Sequence, residues 1–196
     1  MLGERNTTLE TAVRAWMIKA LGEVPELQDV PRPVPAKGEA LVRVGSAGIN
    51  FADLLMIAGT YQARPPIPFV PGLEFAGIVD ALGPDTVGPG IGARVLGVSG
   101  SGAMADWVCV PVDRLSAVHG TMSLDEAAAF PIAYGTSHLA LDWKAATQPG
   151  ETLFVTGAAG GVGLTAVEIG KRLGARVIAS ARGAGRLSVA AAAGAD

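Results

Sequence analysis

Along the first two-thirds of the chain apolar and polar residues alternate in short stretches, and after about residue 121 the spacing becomes helical. The segments VRAWMIKAL (13–21), ELQDV (26–30), EALVRVGSAG (39–48), EFAGIVDALG (74–83), ARVLGV (93–98) and AMADWVCVP (103–111) read as strands. Each is brief, rich in β-branched or alternating apolar residues, and bounded by glycine or proline. The joints VPRPVPAKG (30–38) and ARPPIPFVPG (63–72) connect or edge strands, because proline has no N–H to give to a ladder. One helix interrupts the series, with Asn50 as its N-cap and Phe51, Leu54 and Leu55 leading an apolar run to Ala58. The pattern predicts a small, strand-rich, partly open barrel.

Beyond residue 121, Ser123 and Glu126 make a capping box at the start of LDEAAAF. Pro131 suits the first position of the next helix, which runs through Leu139 and Leu141 until Gln148-Pro149-Gly150 ends it. ETLFVTG (151–157) then reads as a buried strand, GVGLTAVEIGKRLGA (161–175) as a helix, ARVIAS (175–180) as a strand and GRLSVAAAAGA (185–195) as a helix. In the first of those two helices Val162, Ala166, Ile169 and Leu173 share one face and predict the packed side, with Lys171 and Arg172 outside it. Strand, glycine turn, helix and strand make a βαβ unit, and so a parallel sheet. The expected fold class is α/β plus β. It divides into an extension over residues 1–12, a strand-rich domain over 13–120, and linking helices with a parallel unit over 121–196.

Composition then narrows the function classes. Of 196 residues, 49% are hydrophobic and 17% charged, a globular balance with enough apolar material for a core. A formal charge of −3 disfavours nucleic-acid or membrane-surface binding driven by basic charge. The single cysteine excludes an internal disulfide framework and a multi-cysteine zinc site. No apolar run reaches the roughly eighteen residues of a membrane span, and the start has no basic-then-apolar leader pattern. A cytoplasmic protein is expected.

The sharpest local signal is Gly157-Ala158-Ala159-Gly160-Gly161-Val162-Gly163, set between a predicted strand and a predicted helix. That context separates a dinucleotide-binding turn from an ordinary strand-to-helix turn. Gly157 permits the tight exit from the strand, Gly160 and Gly161 leave the backbone amides open to a pyrophosphate, and Gly163 lets the helix pack close. The helix N-terminus then attracts the phosphates. An NAD site usually has an acid at the end of the second strand, but that strand ends Ala179-Ser180-Ala181, and no Asp or Glu occurs between Glu168 and Asp196. Arg182 and Arg186 follow instead and suit a 2′-phosphate, which favours NADPH; the alternative is that both are solvated surface residues. Ser180 is either a donor to the ribose or phosphate, or a plain strand-end serine.

The order of these motifs is recognisable: a strand-rich domain, YQARPPIPFVPGLEFAG, FPIAYGTSHLAL and VTGAAGGVG. From about Val13 to Asp196 the chain resembles the zinc-independent quinone oxidoreductase branch of the medium-chain dehydrogenase/reductase superfamily. The resemblance implies a GroES-like catalytic domain joined to a Rossmann domain that binds NADPH, and hydride transfer to quinones or other α,β-unsaturated carbonyls. Zinc-dependent relatives carry a Cys soon after the third strand and a His-Glu pair in the segment matching PGLEFAG. Here those places hold Gly48-Ile49-Asn50-Phe51-Ala52-Asp53 and Pro71-Gly72-Leu73-Glu74, while Cys109, His119 and His138 stand apart. No zinc is expected. By the same resemblance Asn50 lies near the nicotinamide or substrate, Thr136 contacts the cofactor from the linking helix, and Tyr61 closes over the cofactor or serves as proton donor. A phenol is a fair general acid, being neutral at pH 7. The alternatives are a tyrosine packed on the proline-rich loop and an ordinary intrahelical threonine; Asp53 is expected to orient Asn50 or cap its helix.

A six-stranded Rossmann sheet needs more chain than this, since only Thr152–Thr156 and Arg176–Ser180 supply strands. The chain is therefore expected to be a C-terminally truncated form, with uncovered apolar faces on its parallel pair. Alternative functions are enoyl thioester reductase-like activity, a non-catalytic NADPH-binding module, or an interaction fragment, with homodimer formation possible through an exposed strand edge.

Overall fold

A strand with apolar residues at every second position has one face to hide, and Ala40, Val42 and Val44 give the segment 39–48 such a face. In the computed structural model, which describes residues 12–196, that segment is the centre of the first half of the chain. β1 (Ala12–Met17) and β2 (Glu26–Pro31) form an antiparallel pair. There follow β3 (Glu39–Gly48), the helix α1 (Phe51–Ile57), β4 (Glu74–Leu82), β5 (Arg94–Val98), β6 (Trp107–Pro111) and β7 (Leu115–Ala117). β3 to β7 make one antiparallel sheet in the order β6-β3-β4-β5-β7. Its core is Ala40, Val42, Phe75, Val79, Val95, Ala103, Val108 and Val110. The expected extension lies outside the described residues, apart from Ala12, which already belongs to β1.

Glycine sets the curvature of this sheet where chains come close. β3 carries irregularities between Leu41 and Val42 and between Val44 and Ser46, which tighten its twist. Opposite them, a Cβ on Gly77 would lie 2.2 Å from the Arg43 carbonyl oxygen, so only glycine fits. The proline-rich joint closes on β1 through paired hydrogen bonds between Ile18 and Phe69 (2.8 and 3.1 Å).

α2 (Leu124–Ala128) starts as its capping box predicts: Glu126 N–H donates to Ser123 Oγ (3.2 Å), and Ser123 N–H donates to the Glu126 carboxylate (2.8 Å). Its Ala127 and Ala128 bury against Ala76 of β4. The chain divides into two compact units after Ala129, so residues 121–129 pack with the strands rather than with the helices that follow.

The second unit, residues 130–196, opens with α3 (Pro131–His138), which widens into a π-type stretch over Leu139–Lys144. Then come β8 (Thr152–Thr156), α4 (Gly161–Arg172), β9 (Arg176–Ser180) and α5 (Ala184–Ala192). β8 and β9 are parallel and in register from Thr152/Arg176 to Thr156/Ser180. Val155, Val177, Val167 of α4 and Ala190 of α5 form the core on one face of this pair. On the opposite face the register partners Phe154 and Ile178 are 62% and 37% exposed, the uncovered apolar side expected of two parallel strands alone.

The packed side of α4 matches only in part the one its apolar residues predict. Ala166 packs on the core and Ile169 and Leu173 are half-buried, but the buried positions are Thr165, Val167 and Gly170, and Val162 is 45% exposed. The cause is glycine: a Cβ on Gly163 would fall 2.3 Å from the Gly157 carbonyl oxygen, and one on Gly170 would fall 2.6 Å from the Leu153 side chain. Positions that read as gaps in the hydrophobic pattern are where the helix comes nearest its strands. At Gly161 a Cβ would meet nothing within 4 Å.

Two outcomes follow for stability. Gly163→Ala is expected to lose about 1–3 kcal/mol in denaturant unfolding because backbone must move, while Gly161→Ala leaves the midpoint unchanged or slightly raised. The Asp196 carboxylate accepts from Lys171 Nζ (2.9 Å) and Val177 N–H (2.7 Å), and these donors hold its pKa below the ordinary Asp value. A carboxylate whose folded pKa is depressed contributes stability above its unfolded pKa and loses it as pH falls through the folded value. Unfolding monitored from pH 6 down to pH 2 is therefore expected to show an acid-side loss of stability that is smaller in Asp196→Asn.

Candidate functional site

Residue by residue, the candidates fall on two separate units. On the first, α1 carries Asn50 at its N-terminal end and Tyr61 just past its C-terminal end. The helix has seven residues, a rod of roughly 10 Å at ~1.5 Å per residue. Asn50 is the N-cap, with extended backbone (φ −112°, ψ 155°). Its N–H donates to Asp53 Oδ2 (2.8 Å), and Asp53 Oδ1 accepts from the N–H of Gly72 (3.1 Å). Asp53 is 1% exposed, and burial holds its pKa above the ordinary Asp value despite those two donors. It thus ties the start of α1 to the Pro71-Gly72-Leu73-Glu74 segment, an orienting and capping part of the kind expected from the sequence.

The Asn50 side chain has a partner that sequence reasoning did not foresee: Nδ2 donates to Glu74 Oε1 at 2.7 Å, and Glu74 is 2% exposed. A glutamate in an otherwise apolar strand start, beside a glycine-rich turn, was the available signal. At the other end, Gly59 turns the chain with φ +71°, and the N–H groups of Thr60 and Tyr61 both donate to the Leu55 carbonyl (2.9 and 3.1 Å). Tyr61 is half-buried, and its carbonyl accepts from Arg64 Nε (3.5 Å). One helix therefore sets where both residues stand.

On the second unit, β8 leaves its sheet through Gly157, whose φ of +62° belongs to the left-handed region that favours glycine. Ala158 N–H donates to the Ser180 carbonyl (3.0 Å), so the turn is stitched to the end of β9. Gly160 is the N-cap of α4, and Leu164 N–H makes the bond back to its carbonyl (2.8 Å). The amides of residues 161–163 thus precede that first helical bond. No acidic side chain occupies the first turn, while Lys171 and Arg172 lie in the last. Gly157, Ala159, Gly160, Ala181, Arg182 and Arg186 line one recess of about 380 Å³. Gly161, Val162 and Gly163 line a neighbouring recess of about 460 Å³, together with Gly157, Gly160 and Thr156. The glycine turn and both arginines are thus brought together. Ser180 takes part through its carbonyl, and it is not among the residues lining either recess.

Thr136 is exposed on α3, and the buried hydroxyl is its neighbour Ser137. Ser137 Oγ donates to the Val162 carbonyl (2.9 Å) and lies 2.7 Å from Thr165 Oγ1; Thr165 Oγ1 lies 3.0 Å from the carbonyls of both Ala133 and Val162. These hydroxyls hold α3 to the first turn of α4. Sequence pattern offered one hint, two polar residues on helices that need an apolar side. A further recess of about 530 Å³, lined by Phe130, Tyr134, His138, Glu168, Ile169 and Arg172, holds none of the expected site residues. There Tyr134 donates to Glu168 (2.5 Å) and stacks on Phe130 with ring centres 4.4 Å apart. No helix among the described residues is long and apolar enough to cross a membrane.

Comparison with known proteins agrees with this geometry. Residues 36–120 match the alcohol dehydrogenase GroES-like domain family. Quinone oxidoreductase-like protein 2 of Mus musculus is 42% identical over 169 residues, which are 85% of this chain and 48% of that protein. Among solved structures, the quinone oxidoreductase of Thermus thermophilus, determined with its NADPH complex, superposes with a TM-score of 0.84 at 38% identity over 93% of this chain and 58% of that one. Human synaptic vesicle membrane protein VAT-1 homolog-like protein superposes with a TM-score of 0.89 at 32% identity over 93% of this chain and 60% of that one. The chain spans about half the length of the curated relatives it matches. Its first unit is the GroES-like domain and its second the start of a Rossmann-like fold. Strand order, glycine turn and these likenesses agree, and the chain belongs to the medium-chain dehydrogenase/reductase superfamily, among its quinone oxidoreductase-like proteins.

Proposed function

We propose that this chain serves hydride transfer from NADPH to quinones or other α,β-unsaturated carbonyl compounds, in the cytoplasm and without zinc. The observation that carries the reading is the recess in which Gly157 and Gly160 face Arg182 and Arg186. Its residues fit the cofactor. Neither packing nor left-handed backbone accounts for glycine at 161, so the open space there suits a phosphate pressed against the amides. The first-turn amides and helix dipole hold the pyrophosphate, and the two guanidinium groups pair with a 2′-phosphate in a place no carboxylate lines. The relative of known structure with bound NADPH supports the same choice.

When bound, the dihydronicotinamide supplies the hydride. The chain's own residues supply orientation and a proton. Asn50 hydrogen-bonds beside the reacting groups without adding charge, Thr136 contacts the cofactor from α3, and the Tyr61 phenol donates the proton that the reduced carbonyl compound takes up. Cys109 is a poor metal ligand, because burial in β6 pushes its thiol up to about 11. Among the described residues no three His, Cys, Asp or Glu side chains are grouped to hold a metal ion. The reading without zinc rests on Asn50 and Leu73 standing at two of the places where zinc-dependent relatives carry ligands.

Cofactor choice is tested by titrating this chain with NADPH and NADH. Arg182→Glu is expected to weaken NADPH at least about tenfold, the loss of a charge-assisted pair, and to leave NADH nearly unchanged. Equal weakening of both would remove the 2′-phosphate assignment. Gly161→Ala is expected to weaken both nucleotides while keeping the fold. Turnover is tested by NADPH oxidation with a panel of quinones and enones, where Tyr61→Phe should cost about 10²-fold or more. Saturable NADPH binding without turnover on any acceptor would reduce the reading to a cofactor-binding module.

A further inference from the structure

We infer that Glu74 is the positioning residue for Asn50: its buried carboxyl group accepts a hydrogen bond from one N–H of the Asn50 side-chain amide and holds that amide in one orientation. This rests on the proposal that Asn50 stands beside the reacting groups. The two ends of an asparagine amide are alike in shape and opposite in hydrogen bonding, so an unheld amide offers a ligand no fixed order of donor and acceptor. Asn50 Nδ2 donates to Glu74 Oε1 at 2.7 Å, so the donor end of the amide faces the carboxyl group and the amide oxygen is left for a ligand. Glu74 is 2% exposed and Asn50 half-buried, so the couple runs from the core to the surface.

The chain makes room for this contact. Gly48 is the cross-strand partner of Glu74. A Cβ on Gly48 would lie 2.4 Å from Glu74 Oε1 and 2.7 Å from its Cγ and Cδ. The backbone of Gly48 is outside the left-handed region, so the space filled by Glu74, and not conformation, requires the glycine there. Asp53 meanwhile holds the Asn50 backbone N–H. An asparagine that only capped a seven-residue helix would need the second carboxylate and not the first. With both in place, neither the backbone nor the amide of Asn50 turns when a ligand docks.

The test reads Asn50 itself, in the ligand-free 196-residue protein labelled with ¹⁵N. One side-chain amide proton of Asn50 is expected to exchange with water at least about tenfold more slowly than those of exposed Gln62, as suits a proton held in a hydrogen bond to a buried acceptor. Glu74→Gln keeps slow exchange, because the Gln oxygen still accepts. Glu74→Ala abolishes it, and so does Gly48→Ala, whose methyl group displaces the Glu74 side chain from across the sheet. Slow exchange that survives both alanine variants overturns the inference, as does a Glu74→Gln protein whose Asn50 protons exchange as fast as those of Gln62. Should Glu74→Ala fail to fold, Glu74→Gln and Gly48→Ala carry the comparison. No nucleotide or acceptor is present, so the result stands apart from the success or failure of NADPH-dependent turnover.

Discussion

A methyl group at position 163 would sit 2.3 Å from the Gly157 carbonyl oxygen, and most of the second unit depends on that closeness. Gly170, two turns further along the same helix, meets Leu153 in the same way, so α4 lies flat along the parallel pair. Close approach at both points buries Val167 and leaves Val162 half exposed at the mouth of the turn. It also brings the first amides of α4 beside the end of β8, where a helix N-terminus and a left-handed Gly157 form a concave, acid-free surface. A helix set even one methyl group further away would carry the same residues without the same recess. The buried Ser137 and Thr165 hydroxyls hold this arrangement from α3, and both reach the carbonyl of Val162 in the first turn of the helix.

The first unit positions its candidates by different means. There two buried carboxylates align Asn50. Asp53 collects the N–H groups of Asn50 and Gly72, and Glu74 takes the Asn50 amide. Burying carboxylates is unfavourable unless hydrogen bonds compensate, and the raised pKa of Asp53 registers that strain on its charged form. In exchange the directions of polar groups are set far more narrowly than apolar packing would set them. Close backbone approach shapes the glycine turn of the second unit, and polar anchoring sets Asn50 in the first.

Much of this was legible in the chain. β3 begins and ends where alternation does, at Glu39 and Gly48, and the Ser123–Glu126 capping box, Pro131 at the head of α3 and the strand-turn-helix context of Gly157 all hold. These are local features: a cap, a turn or an alternating strand is decided by residues a few positions apart. The less legible parts were the packed side of α4, the assignment of α2 to the strand-rich unit, the burial of Ser137 beside exposed Thr136, and the bond from Asn50 to Glu74.

Those four share one physical cause. Periodicity weighs the side chains an element carries, whereas packing is decided by how near another element comes, and glycine, which permits the nearest approach, contributes nothing to a hydrophobic pattern. The amino-acid sequence alone determined the element order, the parallel unit with its phosphate turn, and the basic residues beside it, because each follows from short-range chemistry. Only the tertiary structure decided which face of α4 is buried, that Arg182 and Arg186 share a recess with Gly157 and Gly160, and which carboxylates hold Asn50, because residues 24 apart in the chain meet only when the strands pair.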